Sequence, residues 1–131
     1  EAADAMWQVS TSFGPHTPEQ WLGLSRPMVR AHHEGGFTLH YDPAIGEPVR
    51  AMTEAQCIEG QAALWSAYDA ITARTLVTRG ALSDLLKRET ALEMTRRGPR
   101  AELVEFDGVG HAPTFIAPGQ VEVATAFLLQ P

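Results

Sequence analysis

Only one cysteine, Cys57, occurs in the 131 residues. An intrachain disulfide is therefore excluded, and a reducing compartment fits. Long apolar runs are missing too: none approaches the roughly 18 residues of a membrane span, and no secretory signal is visible. The expected location is the cytoplasm, and the start at Glu1 without methionine reads as a trimmed chain. Basic residues are the minority. Ten Lys and Arg against sixteen Asp and Glu leave a net charge of −6 and a sequence pI near 5.3, which excludes the basic face nucleic acid demands. Low-complexity tracts and internal repeats are absent. The nine Pro and eleven Gly are dispersed, so a folded chain is expected rather than a disordered one.

What is present suits one domain, with 44% hydrophobic residues to supply a core. Residues 1–16 begin with EAADAM, a segment fit to extend a helix, and loosen through STSFGP. Thr17-Pro18-Glu19-Gln20 is a helix start: Thr17 caps, Pro18 suits the first position and Gln20 reaches back in a capping box. Trp21, Leu22 and Leu24 follow on a short helix, which Pro27 stops. The stretch AHHEGGFTLHYDPAIGEPVR is broken by Gly35-Gly36 and then by Pro43 and Pro48, and reads as an irregular segment docked by aromatics. His16, His32 and His33 lack partners at zinc-site spacing and read as solvated loop residues, so no metal is expected. His40 reads as packing. Thr53-x-x-Gln56 opens the longest helix, to about Tyr68, with Ile58, Ala62 and Trp65 on its core stripe and Cys57 as a small buried thiol.

The stretch from Thr75 to Thr114 organises the rest. Two runs of β-formers, Thr75–Arg79 and Ala101–Phe106, flank a helical segment expected from Leu85 or Leu86 to Arg97 and stopped by Gly98-Pro99. The Arg96, Arg97, Arg100 cluster suits that helix's carboxyl end. The pattern closes most simply as a parallel pair with a crossover helix. Each strand runs into a Gly-containing loop with a titratable group, Asp84 after the first and His111 after the second. Such loops share one edge of an open α/β sheet, where ligands bind. Asp84 is also a candidate helix N-cap with Ser83, and Asp107 reads as turn chemistry. A last helix from about Pro118 to Leu129 presents Val121, Ala124, Phe127 and Leu128 to the sheet.

GALSD and GVGHAPT, with a helix and a strand between them, resemble the C-terminal part of an α/β-hydrolase, whose chain order is Ser, then Asp or Glu, then His. LWSAYDAITARTLVTRGALSD resembles the helix entering the acid-bearing strand, and HTPEQW with LHYDPAI resembles a lid. The likeness runs from about Ser12 onward. Where many relatives place Pro before the acid-bearing strand, this chain has Arg74. The resemblance implies an α/β fold in two parts: a helical cap with its return helix over residues 1–70, then the C-terminal part of the core over 71–131, a parallel βαβ unit with a C-terminal helix. It implies catalytic roles for His111 as general base and Asp84 as its orienting partner, with Trp21, Phe37 and Tyr41 as candidates to line a substrate pocket, and no cofactor.

The nucleophile elbow G-x-S-x-G is missing. Ser10, Ser12, Ser25, Ser66 and Ser83 are the serines, and none has Gly two positions away on both sides. Relatives place the nucleophile upstream of the lid, so the expectation is half an enzyme, inactive alone, whose parent hydrolyses an ester or related small substrate. Carbon–carbon, epoxide and carbon–halogen hydrolysis also occur among capped relatives, the last two with an Asp nucleophile. The alternative is a non-catalytic binding or assembly module whose open sheet edge pairs with another chain; the partners expected are a small-molecule substrate for the parent enzyme and either a second copy of the chain or the missing N-terminal part. A G-x-S-x-G about 100 residues before Asp84 separates the two.

Overall fold

The computed structural model describes residues 2–130; Glu1, the first residue of the expected leading segment, lies outside them. The chain divides into two compact units. One runs to Val9 and resumes over His16–Ala67; the other joins Ser10–Pro15 to the chain from Tyr68 onward.

In the first unit, α1 (Ala2–Ser10) is followed by α2 (Pro18–Ser25). The capping box forms as the residue types dictate: Gln20 N–H donates to Thr17 Oγ1 at 3.2 Å, and Thr17 N–H donates to Gln20 Oε1 at 2.9 Å. This places Trp21 inward. It is buried, its indole N–H donates to Ala3 O at 2.6 Å, and its ring meets Trp7 edge-on at 4.9 Å. His16 is half-buried beside both indoles, 6.2 Å from Trp7 and 6.0 Å from Trp21. It is not the solvated residue expected, because the Thr17 cap fixes the preceding residue against α2.

The segment expected to be irregular contains an antiparallel hairpin, β1 (Val29–Ala31) with β2 (Phe37–Leu39), in the register Val29↔Leu39. Gly35 and Gly36 make its turn, with φ of 95° and 76° that glycine alone adopts freely. Three-residue strands are too short to show a period. Pro43 and Pro48 do not end structure but open it, each near the start of a helical turn, the second in α3 (Glu47–Arg50). Proline's fixed φ suits that position, where its missing N–H has no partner to lose.

The second Thr–Gln box caps α4 (Glu54–Asp69), with Thr53 N–H donating to Gln56 Oε1 at 2.8 Å. No residue of α4 is buried. Ile58 is 61% exposed and Cys57 is exposed, so neither the core stripe nor the buried thiol is realised on this helix. Its last turn is tied down by side-chain bonds. Tyr68 O–H donates to Met94 O at 2.7 Å, and Asp69 pairs with Arg97. Burial raises the Tyr68 pKa, while the Arg97 hydrogen bond lowers that of Asp69. Arg97 thus forms ion pairs with Asp69 and, at 3.9 Å, with Glu93.

The second unit is built on β3 (Leu76–Gly80) and β4 (Glu102–Phe106), parallel and in the register Leu76↔Glu102 to Gly80↔Phe106. The crossover carries α5 (Arg88–Met94), which packs against β3 and buries Ala91 completely. α5 is shorter at both ends than the sequence suggests, and Leu85, a candidate for its first residue, is 71% exposed. At the start, the carbonyls of Ala81, Ser83 and Leu86 accept from the Arg79 guanidinium and are committed to a loop. At the end, Thr95 Oγ1 donates to Leu92 O at 2.8 Å and the backbone tightens into turns.

Val77, Ala101 and Val109 complete this unit's buried apolar set among the described residues. The last helix, α6 (Pro118–Leu129), has the expected bounds. Val123, Ala124 and Phe127 are half-buried, whereas Val121 and Leu128 are exposed, so the inward stripe is rotated from the one expected. Arg74 lies 4.7 Å over the Phe127 ring and donates to the Gln130 carbonyl and side chain, which anchors the helix end.

Two glycines make opposite predictions. A Cβ on Gly80 would fall far inside van der Waals contact of the Val109 and Gly110 carbonyl oxygens, which are backbone and have little room to move. Gly60, within α4, meets nothing within 4 Å. Gly80→Ala is expected to destabilise the chain by about 3 kcal/mol and Gly60→Ala to stabilise it by about 0.5–1 kcal/mol, read as opposite shifts of the urea midpoint.

Candidate active site

The carboxyl ends of β3 and β4 run into loops that are sewn together. Ala81 N–H donates to Phe106 O, continuing the strand ladder, and Leu82 N–H donates to Val109 O, both at 2.9 Å. Gly110 N–H donates to Ser12 O at 2.6 Å, which binds the Ser10–Pro15 segment to the second loop. Asp84 lies two residues beyond one end of the Leu82–Val109 bond and His111 two residues beyond the other. The pairing therefore brings the two loops to one edge. Both side chains are exposed, and no hydrogen bond joins them among the described residues.

The first loop is held from inside. Ser83 N–H donates to Gly80 O at 2.9 Å, and Ser83 Oγ accepts from Leu86 N–H at 3.2 Å. Ser83 therefore closes a turn and does not cap α5; the N-cap position of α5 is Lys87, whose side chain makes no capping bond. Asp84 caps nothing either. Its carboxylate has no hydrogen bond or ion pair among the described residues, so the loop does not need it for structure.

Sequence reasoning missed the group that shapes this loop. Arg79, only 5% exposed on β3, donates from Nε to Leu86 O (2.6 Å), from Nη1 to Ala81 O (3.2 Å) and to Glu105 Oε1 (2.6 Å), and from Nη2 to Ser83 O (3.1 Å). Glu105 faces it directly across the parallel register and also accepts from Arg88 Nε at 3.2 Å. These hydrogen bonds, that from Arg79 foremost, hold the Glu105 carboxyl below the usual range. The signal in the sequence was an arginine in a short apolar strand with a glutamate at the matching place in the next.

The pocket candidates lie in the first unit, each in a different depression. Trp21 borders one of about 260 Å³ with Trp7 and His16. Phe37, 65% exposed, borders one of about 750 Å³ with Leu22 and Ser25. Tyr41 borders one of about 390 Å³ with Met28, Leu39 and His40. His40 is exposed and borders that depression; it is not packed as expected.

Among the described residues one cluster has metal-ligand geometry, His32, His33 and Glu34 at the hairpin turn, with ligand atoms within 4.8 Å of one another. His32 Nδ1, however, accepts from Glu34 N–H at 3.3 Å. That bond already occupies the Nδ1 lone pair.

No family model matches the chain. Over 122 residues it is 46% identical to the 3-hydroxybutyrate-oligomer hydrolase of Cupriavidus necator, covering 91% of this chain and 42% of that protein. An α/β hydrolase from Novosphingobium aromaticivorans superposes with a TM-score of 0.74 at 31% identity, over 97% of this chain and 44% of the other. The chain carries part of an α/β-hydrolase fold. A protein from Rickettsia typhi assigned as a hydrolase superposes with a TM-score of 0.81 at 25% identity, over 99% of this chain and 42% of its own. The chain spans somewhat over two-fifths of the length of these hydrolases. No helix among the described residues is long and apolar enough to cross a membrane.

Two outcomes follow from the loop chemistry. Ser83→Ala is expected to cost about 1 kcal/mol, because the Leu86 N–H loses its acceptor, whereas Asp84→Asn stays within about 0.5 kcal/mol of the parent; urea unfolding of both variants checks this. Glu105 has a folded pKa below its unfolded value of about 4.3. Its contribution to stability is therefore complete above that pH and lost as pH falls through the lowered value. Glu105→Gln is expected to be less stable than the parent at pH 7, with the gap closing as pH falls below the usual carboxylate range.

Proposed function

We propose that this chain supplies the acid–base half of a serine-type α/β-hydrolase acting on small esters. The observation that carries this reading is the Leu82–Val109 hydrogen bond. It joins the two loops that bear Asp84 and His111, in the chain order of the triad. In the proposed cycle the His111 imidazole takes the proton of the serine hydroxyl as it attacks the ester carbonyl. It then gives that proton to the departing alkoxide, leaving an acyl-enzyme. Water, deprotonated by the same imidazole, attacks the acyl carbonyl; the acyl–serine bond breaks, the imidazolium returns the proton to the serine oxygen, and the acid leaves. Asp84 accepts the other ring N–H, fixes the tautomer and stabilises the imidazolium. Triad hydrogen bonds commonly tighten only with substrate bound, so two unpaired side chains on one edge suit the role.

The substrate class we favour is a short ester of a hydroxy acid. The support is the 46% identity to an enzyme named for 3-hydroxybutyrate oligomers. Residues 1–70 then act as the lid, and Phe37 and Tyr41, exposed beside open depressions, are its candidates for contact with substrate. The nucleophile lies outside this chain, since none of its five serines stands in an elbow.

The test uses the full-length protein that carries this chain, with p-nitrophenyl butyrate as substrate and a fluorophosphonate probe. Asp84→Asn is expected to lower kcat by about 10⁴-fold, His111→Ala to abolish labelling, and the 131-residue chain by itself to take no label. Full activity in His111→Ala would overturn the assignment. The assembly-module reading would replace it if no form of the protein labels and the chain self-associates.

A further inference from the structure

We propose that Arg79, clamped by Glu105, is the positioning residue for Asp84; this rests on the triad role proposed above. A buried guanidinium is costly unless its charge and its N–H groups are satisfied. Here four of its five N–H groups are directed at acceptors. Three of those acceptors are carbonyls of the loop that carries Asp84, on both sides of it: Ala81 and Ser83 before, Leu86 after. The fourth is the Glu105 carboxylate on β4, six residues before His111 and 26 residues from Arg79 in sequence. Arg88 holds the other Glu105 oxygen. The Asp84 loop is thereby fixed to the strand that delivers His111, while the Asp84 carboxylate itself stays unbonded. A lysine keeps the charge but lacks the planar fork, and its three donors cannot serve carbonyls spread over six residues. A clamp needed only for stability would not have to place its acceptors on either side of an unbonded carboxylate.

Acting through Asp84 and acting through stability are separated by a double-mutant cycle. In the full-length protein, Arg79→Lys is expected to lower kcat for p-nitrophenyl butyrate about 10- to 100-fold with KM little changed, as a misplaced group does. In the Asp84→Asn background the same substitution is expected to change kcat by less than about twofold, because no oriented carboxylate remains to be misplaced. Equal factors in both backgrounds would overturn the positioning role and leave Arg79 a stability residue. An Asp84→Asn enzyme with undiminished kcat would instead sink the triad reading on which the proposal stands. Glu105→Gln carries the same cycle if Arg79→Lys does not fold, since it keeps an oxygen for Nη1 and sits at a partly exposed position. A rise in KM with kcat unchanged in either variant also counts against the proposal.

Discussion

Two parallel strands cannot be joined by a tight turn, and from that constraint the second unit follows. β3 must hand the chain to a crossover, which has to pack on the strands, and α5 does so through fully buried Ala91. The same constraint sends both strands out of the sheet at one edge. Residues far apart in sequence therefore meet there, and the bonds from Ala81 to Phe106 and from Leu82 to Val109 extend the pairing past the ends of the strands. Gly80 is the point of closest approach: any side chain there would collide with the Val109 and Gly110 carbonyls. A loop pressed this closely to its neighbour has few conformations left.

The Arg79–Glu105 ion pair sets the rest. The two face one another across the register, and removing Glu105 would leave the buried guanidinium without its counter-charge. The pair has a consequence for local structure as well. Carbonyls drawn to the guanidinium are withdrawn from helix formation, so α5 cannot begin where the apolar pattern invites it. Ser83 then turns the chain with its own hydroxyl. What looked like a helix cap is a loop with a charged centre.

What could be read from the sequence divides along this line. Elements with local signals were legible: the Thr17 and Thr53 boxes, the β-formers of β3 and β4, the Pro118 start of α6. Their bounds depend on residues three or four positions apart, which a sequence displays. The hairpin escaped because three residues carry no period. The placement of His16 and the exposure of Cys57 escaped because they depend on what the rest of the fold covers. Asp84 and His111 were singled out by their places after two strands. Arg79 was not, because an arginine at a strand position is bland until its partner, a full crossover away, is known.

Polar groups in this loop sort by whether the fold uses them. Ser83, Arg79, Glu105 and the carbonyls between them are bonded and hold the backbone. Asp84, within the same few residues, is left exposed and unbonded at the centre of that framework. A surface carboxylate needs no partner, so its freedom alone signifies little. Its setting signifies more. Fixing a loop costs roughly 1–2 kcal/mol of backbone entropy per residue, and here a buried charge is committed to the task. Rigidity of that kind has no evident return in packing, since Leu82 and Leu85 beside Asp84 are 70% and 71% exposed. It has a return if a carboxylate must meet an imidazole carried by the neighbouring loop, because a hydrogen bond that orients a general base tolerates little drift.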